Sequence, residues 1–122
     1  MSTKASLEST FSALKVSTYV ADITDSGALE KAFSSFSAEA GPIQVLVCNA
    51  AYFPDGTPLI DGDSDEFWKG FEINVRGNLN VVRAFAPYAT SNPTVINIGT
   101  VSQHRTNSKQ RLKNQVLTVS LI

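Results

Sequence analysis

Apolar residues along this chain change repeatedly between helical spacing and short continuous runs. Three segments place their apolar residues three or four positions apart, as amphipathic helices do: 4–15, 25–40 and 63–88. Three short runs, rich in β-branched residues, predict strands: 16–21, 43–47 and 94–98. This alternation predicts an α/β fold in which right-handed crossovers join parallel strands. The run 43–47 is almost entirely apolar, so we expect it to be covered on both faces.

The ends of these segments carry signals that start and stop helices. Asp25 and Asp63 are predicted N-caps, and Glu66 completes a capping-box pattern with Asp63. The Gly-Pro pair at 41–42 predicts the end of the second helix, because glycine tolerates a left-handed conformation and proline cannot continue a helix. The polar stretch 91–93, which ends in proline, predicts a turn before the last strand.

The composition is that of one globular domain. Of the 122 residues, 43% are hydrophobic and 17% are charged, which excludes a mostly disordered chain. The net charge of −1 gives no electrostatic reason to expect a nucleic-acid or membrane partner. No apolar stretch approaches the ~20 residues of a membrane span, and no signal-peptide pattern follows Met1, so we expect a cytoplasmic protein. The single cysteine, Cys48, excludes an internal disulfide framework and is expected to be a buried thiol.

The charges are distributed unevenly along the chain. All 11 acidic residues lie before residue 73, and four basic residues cluster within 105–113. A basic arm of this kind can bind nucleic acid. This cluster contains no aromatic residues, so we interpret it as a solvated tail and expect no nucleic-acid partner.

Polar residues follow each of the predicted strands. Asp22 follows the first strand, Asn49 the second and Thr100 the third, while Asn74 lies within the long helix. In an open α/β sheet, ligands bind outside the carboxyl ends of the strands, so the pattern predicts a shared crevice. Two of these residues also have structural interpretations: Asp22 as a turn or N-cap residue, and Asn74 as a buried amide that needs hydrogen-bond partners.

Four segments resemble, in order and with similar spacing, the short-chain dehydrogenase/reductase family: VADITD (20–25), VLVCNAA (45–51), FEINVRGNLNVVRAF (71–85) and TVINIGT (94–100). The resemblance implies a partial Rossmann-type fold, a doubly wound parallel sheet in three layers. We expect a partial NAD(P)-binding domain at 1–103 and a divergent basic and apolar tail at 104–122.

The resemblance implies a cofactor site at the first two strand ends. Asp22 would accept a hydrogen bond from the adenine amino group of NAD or NADP, and Ile23 would lie against the adenine ring. Three residues would let the backbone approach the cofactor ribose: Asn49, Ala50 and Ala51. Ala51 replaces the usual glycine, which is tolerable if its φ is negative. Cys48 replaces an asparagine, so the hydrogen bonds of that amide are lost.

The resemblance also implies two catalytic positions. Asn74 matches an asparagine that supports a water-mediated proton relay, and Thr100 falls where a serine usually orients the substrate carbonyl. Threonine keeps the hydroxyl but adds a methyl group that crowds the pocket. Ser102 is a second candidate for this role, whereas His104 is interpreted as an exposed loop residue. No metal site is predicted.

Two elements of the family pattern do not occur in this sequence. It has no Gly-rich turn for the pyrophosphate, and no tyrosine follows Thr100, so the Tyr-x-x-x-Lys pair that transfers the proton is absent. In the family strand order 3-2-1-4-5, the strands that end at Asp22 and Asn49 would flank a gap of two strands. We therefore expect the isolated chain to be inactive, and to be marginally stable, rearranged or dependent on a partner.

These observations lead to one principal hypothesis and two alternatives. The principal hypothesis is an NAD(P)-dependent oxidoreductase acting on a small alcohol or carbonyl compound, inactive as this chain. The first alternative is a non-catalytic interaction module that pairs with a second copy or a full-length relative through the helix 63–88. The second is an unrelated flavodoxin-like binding domain. The choice between NAD and NADP, and the substrate, remain open.

Overall fold

Helices pack against two parallel strands in the computed structural model, which describes residues 5, 9–10, 15–53 and 60–99. The elements, in chain order, are α1 (Ser26–Ala40), β1 (Ile43–Cys48), α2 (Ser64–Phe71), a π-helical segment (Glu72–Gly77), α3 (Asn78–Phe85), a 3-10 turn (Ala86–Tyr88) and β2 (Ala89–Asn97). The parallel pairing of β1 with β2 confirms the predicted α/β class. In the predicted first helix, the described residues Ala5, Ser9 and Thr10 are helical. The predicted domain boundary at 103 lies outside the described residues.

Helix α1 begins and ends at the residues that its sequence signals predict. The Asp25 side chain accepts hydrogen bonds from the backbone N–H groups of Gly27 and Ala28, at 2.9 and 3.0 Å. Gly41 has a φ of 85° and donates its N–H to the Ser37 carbonyl at 2.8 Å. A positive φ is strained for residues with a Cβ, so glycine suits this C-cap.

The two strands pair over most of the length of β1. Val45 pairs with Thr94, and the register continues to Cys48 opposite Asn97. Ile43, however, pairs with Ala89, so the register shifts between these pairs. The prediction that a turn at 91–93 precedes the last strand is therefore wrong, because these residues lie inside β2, which begins at Ala89. The extra residues are accommodated at the irregularity, a position in a strand where proline is tolerated.

The core lies between the helices and one face of the sheet. Its buried members are Leu29, Leu46, Cys48, Val81, Ala84 and Phe85. The opposite face of β1 is open, because Val45 and Val47 retain 51% and 52% of their accessible surface. The prediction that β1 is covered on both faces is therefore wrong for this chain.

The segment 16–21, predicted to be a strand, has no regular secondary structure and pairs with no strand among the described residues. Side chains attach it to the end of α1: Ser17 Oγ and Tyr19 OH each donate to the Glu39 carboxylate at 2.7 Å. Backbone pairing requires an adjacent strand edge, and neither β1 nor β2 lies beside this segment in the described sheet. The strand prediction is therefore wrong for the described residues.

The predicted helix 63–88 is a helical run without a break from Ser64 to Tyr88. Its middle part is the π-helical segment, and its last three residues are the 3-10 turn. Asp63 caps the helical run by accepting the Asp65 N–H at 2.8 Å, which confirms the predicted N-cap. The predicted capping box is not formed, because this bond reaches the second helical residue and the Glu66 carboxylate has other partners. The Glu66 carboxylate bonds the Tyr52 hydroxyl and the Lys69 ammonium. π-Helical turns occur frequently at functional sites, and this one contains Asn74.

Candidate functional site

Asp22 follows the segment 16–21 and begins a turn, which its own carboxylate stabilises. Asp22 Oδ1 accepts hydrogen bonds from the backbone N–H and the hydroxyl of Thr24, both at 2.8 Å. These bonds, the backbone one first, lower the pKa of Asp22, so the exposed carboxyl is ionised at neutral pH. Both bonds reach Oδ1, and Oδ2 has no partner among the described residues. Asp22 is thus a turn residue that retains an acceptor oxygen for an amino group.

Ile23 fastens this turn to the helical run 64–88. Its carbonyl accepts a hydrogen bond from Asn80 Nδ2 at 3.2 Å. Its side chain fills the space above Gly77, where a Cβ would stand 2.7 Å from Ile23 Cδ1 and Cγ1. Gly77 therefore permits a close approach that another residue would block.

The segment from Asn49 to Ala51 follows β1 and is exposed to solvent. Cys48, which precedes this segment, is buried, and burial raises the pKa of its thiol. A raised thiol pKa is expected of a core cysteine and not of a nucleophile. The Cys48 carbonyl accepts the Ile98 N–H at 2.9 Å, so the segment leaves the sheet beside the end of β2. No described residue other than glycine has a positive φ, so Ala51 meets the condition for replacing glycine.

Asn74 holds the backbone of Tyr52 at two points. Its Oδ1 accepts the Tyr52 N–H at 2.7 Å, and its Nδ2 donates to the Tyr52 carbonyl at 2.8 Å. Its own carbonyl accepts a hydrogen bond from Asn78 Nδ2 at 2.7 Å. The side-chain amide is therefore satisfied by the loop that follows β1.

The Tyr52 side chain lies along α2. Its hydroxyl donates to Glu66 Oε2, and Lys69 Nζ lies 4.8 Å from the centre of its ring. Lys69 Nζ also lies 3.4 Å from Glu66 Oε1. The hydrogen bond to Glu66 is the main cause that raises the pKa of the Tyr52 phenol, which therefore remains protonated at neutral pH.

A family comparison accounts for this arrangement. Residues 1–115 match the family model described as enoyl-(acyl carrier protein) reductase. The chain belongs to the short-chain dehydrogenase/reductase family. Membership in this family confirms the resemblance and replaces the flavodoxin-like alternative.

Individual members of this family show the same relationship. Short chain dehydrogenase tazN from Aspergillus terreus is 29% identical over 110 residues, covering 83% of this chain and 24% of the relative. An NAD+-bound xylitol dehydrogenase superimposes with a TM-score of 0.77 at 24% identity, covering 85% of this chain and 40% of that one. A Burkholderia cenocepacia J2315 short chain dehydrogenase in complex with NADP gives 0.63 at 24% identity, covering 72% and 36%. The chain spans less than half the length of these relatives.

Within this short-chain dehydrogenase/reductase chain, the helical run 64–88 is the common support of the first two predicted strand-end sites. The turn at Asp22 and Ile23 contacts it at Gly77 and Asn80, and the loop after Asn49 contacts it at Asn74. At 1.5 Å per residue, Asn74 and Asn80 are separated by about 9 Å along the helix axis. The third site, Thr100, lies outside the described residues, as do Ser102 and His104.

Three residues that shape this site were not assigned a role from the sequence: Tyr52, Gly77 and Asn80. Gly77 and Asn80 fall within the segment that resembles the family, so their roles could have been sought there. Tyr52 carries no comparable signal. The described residues include no group of His, Cys, Asp or Glu side chains placed to hold a metal ion. No helix in the described ranges is long and apolar enough to cross a membrane.

Proposed function

We propose that this chain forms the central part of the nucleotide-binding domain of an NAD(P)-dependent oxidoreductase that acts on an alcohol or carbonyl substrate. One observation carries the proposal. The turn at Asp22 and Ile23 and the segment 49–51, which the resemblance assigns to the cofactor, are both fastened to the helical run 64–88, the second of them through Tyr52. The fold resembles those of an NAD+-bound and an NADP-bound relative. Either cofactor is compatible with the residues considered.

In this proposal each chain segment has a separate task. Asp22 Oδ2 accepts a hydrogen bond from the adenine amino group. The bonds from Thr24 reach only Oδ1, so Oδ2 is available as an acceptor, and they keep the carboxyl ionised. Ile23 presents its side chain to the adenine ring. The small residues that follow Asn49 let the backbone approach the ribose. Asn74 and Thr100 occupy the positions that the family uses in catalysis.

We further propose that the 122-residue chain alone does not transfer hydride. Its three tyrosines, Tyr19, Tyr52 and Tyr88, all donate their hydroxyls to glutamate carboxylates. These hydrogen bonds raise the pKa of each phenol, which is the wrong direction for a proton-transferring tyrosine near neutral pH. No tyrosine of this sequence therefore substitutes for the family's acid.

The first prediction tests this function. The purified chain is expected to bind NAD+ or NADP+ weakly by calorimetry and to oxidise no NADH or NADPH with a panel of small ketones and aldehydes. Asp22→Ala should weaken binding about three- to tenfold, as loss of an exposed hydrogen bond to a charged group would. Asp65→Ala is the matched control, because it removes an exposed carboxylate of α2 that has no part in the proposed cofactor site. Turnover by the wild type would overturn the proposed inactivity, and equal binding by both variants would overturn the role of Asp22.

A second candidate function is a non-catalytic interaction module that uses the helix 63–88. Trp68 keeps 63% of its surface exposed and borders a groove that continues to Val75 and Arg76. Three acidic residues and Lys69 lie towards the start of this surface and two arginines towards its end: Asp65, Glu66, Lys69 and Glu72, then Arg76 and Arg83. Glu66 and Glu72 already contact Lys69 and Arg76 within the helical run. An antiparallel copy of the helix would therefore meet opposite charges, which favours pairing with a second copy or a relative.

The second prediction concerns this pairing. Trp68→Ala should weaken self-association about five- to tenfold, since exposed tryptophans dominate small interfaces. Sedimentation velocity across a concentration series measures the change. The thermal transition of the wild type should rise with concentration, and that of the variant should rise only at about five- to tenfold higher concentrations. Val20→Ala, an exposed apolar residue outside the helix, is the control. A cooperative transition of a wild-type monomer, independent of concentration, would contradict both the module and the expected dependence on a partner.

A further inference from the structure

We propose that Tyr52 is a positioning residue, whose attachment to Asn74 and Glu66 sets the conformation of the exposed segment 49–51. The inference rests on the proposed function in one respect: that segment is the part of the loop assigned to the cofactor ribose. It concerns a side chain for which neither the sequence pattern nor the family match supplies a role.

The attachment of Tyr52 involves both its backbone and its side chain. Asn74 bonds the backbone N–H and C=O at 2.7 and 2.8 Å, while the hydroxyl reaches Glu66, which lies eight positions earlier in the helical run. Lys69, between them in sequence, lies over the ring at 4.8 Å and contacts Glu66 at 3.4 Å. The residue is therefore fixed in orientation as well as in position.

Attachment of Tyr52 matters because the segment before it has few fixed points. At one end, the Cys48 carbonyl accepts the Ile98 N–H at 2.9 Å, and at the other end stands Tyr52. Between them, Asn49, Ala50 and Ala51 are exposed and show no hydrogen bond to another described residue. Exposed residues that make no hydrogen bond to the rest of the described chain do little to fix a loop conformation, so the two anchored ends determine it.

The phenol acts here as a hydrogen-bond donor. The pKa of Tyr52 is raised, chiefly by its hydrogen bond to Glu66, and the pKa of Lys69 is raised chiefly by the charge of Glu66. Both groups therefore stay protonated through the neutral range, and the contact persists there. Glu66 and Lys69 are the charged groups that face the phenol.

The third prediction compares four single variants and one double variant of the full 122-residue chain. Tyr52→Phe and Glu66→Ala each remove the contact and should weaken NAD+ or NADP+ binding about three- to tenfold, in line with the loss of one solvent-exposed hydrogen bond. Their combination should cost little more than either alone, because both remove the same bond. Glu66→Gln keeps a side-chain oxygen that can accept the hydrogen bond from the Tyr52 hydroxyl, so it should retain most of the affinity for the cofactor. Tyr88→Phe removes the equivalent phenol contact with Glu30, at 2.5 Å, and should leave affinity unchanged.

Amide hydrogen exchange gives a readout that does not require cofactor. Exchange at the backbone N–H of residue 52, which donates to Asn74, should become faster in Tyr52→Phe and stay at the wild-type rate in Tyr88→Phe. If the wild type binds neither cofactor, the proposed function fails, and exchange at this amide then decides the role of Tyr52. A wild-type exchange rate at residue 52 in Tyr52→Phe would overturn the proposal, as would equal loss of affinity in Tyr52→Phe and Tyr88→Phe.

Discussion

Replacing Gly77 with alanine is expected to destabilise the chain by about 2 kcal/mol, although alanine is the better helix former. The added Cβ would stand 2.7 Å from Ile23 Cδ1 and Cγ1, and 3.4 Å from its Cβ. The helical preference favours alanine by about 1 kcal/mol, whereas overpacking costs up to about 3 kcal/mol. Because two carbons lie within the forbidden distance, the clash outweighs the preference.

Gly70 supplies the matched control for this substitution. It also lies in the helical run, in α2, but a Cβ there would meet no atom within 4 Å. Gly70→Ala should therefore stabilise the chain by about 0.5–1 kcal/mol through helix preference alone. Urea unfolding followed by circular dichroism compares the two variants. Stabilisation of similar size by both would show that Ile23 does not pack on Gly77.

The partner of the clash can be tested by a second substitution. Ile23→Ala removes Cδ1 and Cγ1, the two atoms nearest to the new Cβ. It should therefore lower the free energy of unfolding less in the Gly77→Ala chain than in the wild type. The displaced turn carries Asp22, so Gly77→Ala should also weaken cofactor binding. A change of about 2 kcal/mol alters the ratio of folded to unfolded chains roughly thirtyfold, which makes the comparison sensitive in a marginally stable chain.

The parts of the fold that depend on local chemistry could be predicted from the sequence. Asp25 and Gly41 begin and end α1 as expected, because capping involves residues only a few positions apart. The helical run 64–88 followed from its apolar spacing and from the Asp63 cap. The π-helical turn at 72–77 could not be predicted, because its apolar residues keep the spacing of the helix on either side.

The parts that depend on a neighbour could not be read from one chain. The segment 16–21 has the composition of a strand, but a strand also requires an adjacent edge, and β1 pairs with β2. The apolar run 43–47 predicts cover on both faces, yet Val45 and Val47 remain half exposed. In each case, composition reports what a segment can bury and not what lies beside it.

The candidate site divides in the same way. Asp22, Asn49 and Asn74 could be proposed because they follow strands or match a family segment. Their supports are contacts across long separations: Asn80 reaches Ile23 over 57 positions, and Asn74 reaches Tyr52 over 22. A single sequence contains no pattern that pairs such residues, so Tyr52, Gly77 and Asn80 emerge from the structure alone.

Asn74→Leu is expected to cost about 2–4 kcal/mol of folding free energy, since it leaves two half-buried backbone groups without partners. The side chain now bonds both the N–H and the C=O of Tyr52, at 2.7 and 2.8 Å. Leucine has nearly the same shape but can bond neither. The loop after Asn49 would lose its anchor, so cofactor binding should fall together with stability. Urea unfolding and calorimetry measure the two effects.

Asn74→Asp separates the two hydrogen bonds. An ionised carboxylate still accepts the Tyr52 N–H, but it cannot donate to the Tyr52 carbonyl and repels it. The protonated carboxyl can donate, so folding raises its pKa above the unfolded value. The second bond is therefore restored below the unfolded pKa and lost as pH rises through the folded pKa. Relative to Asn92→Asp, the same change at an exposed position, this variant should recover stability on acidification. Parallel pH profiles for the two variants would show that Asn74 does not anchor Tyr52.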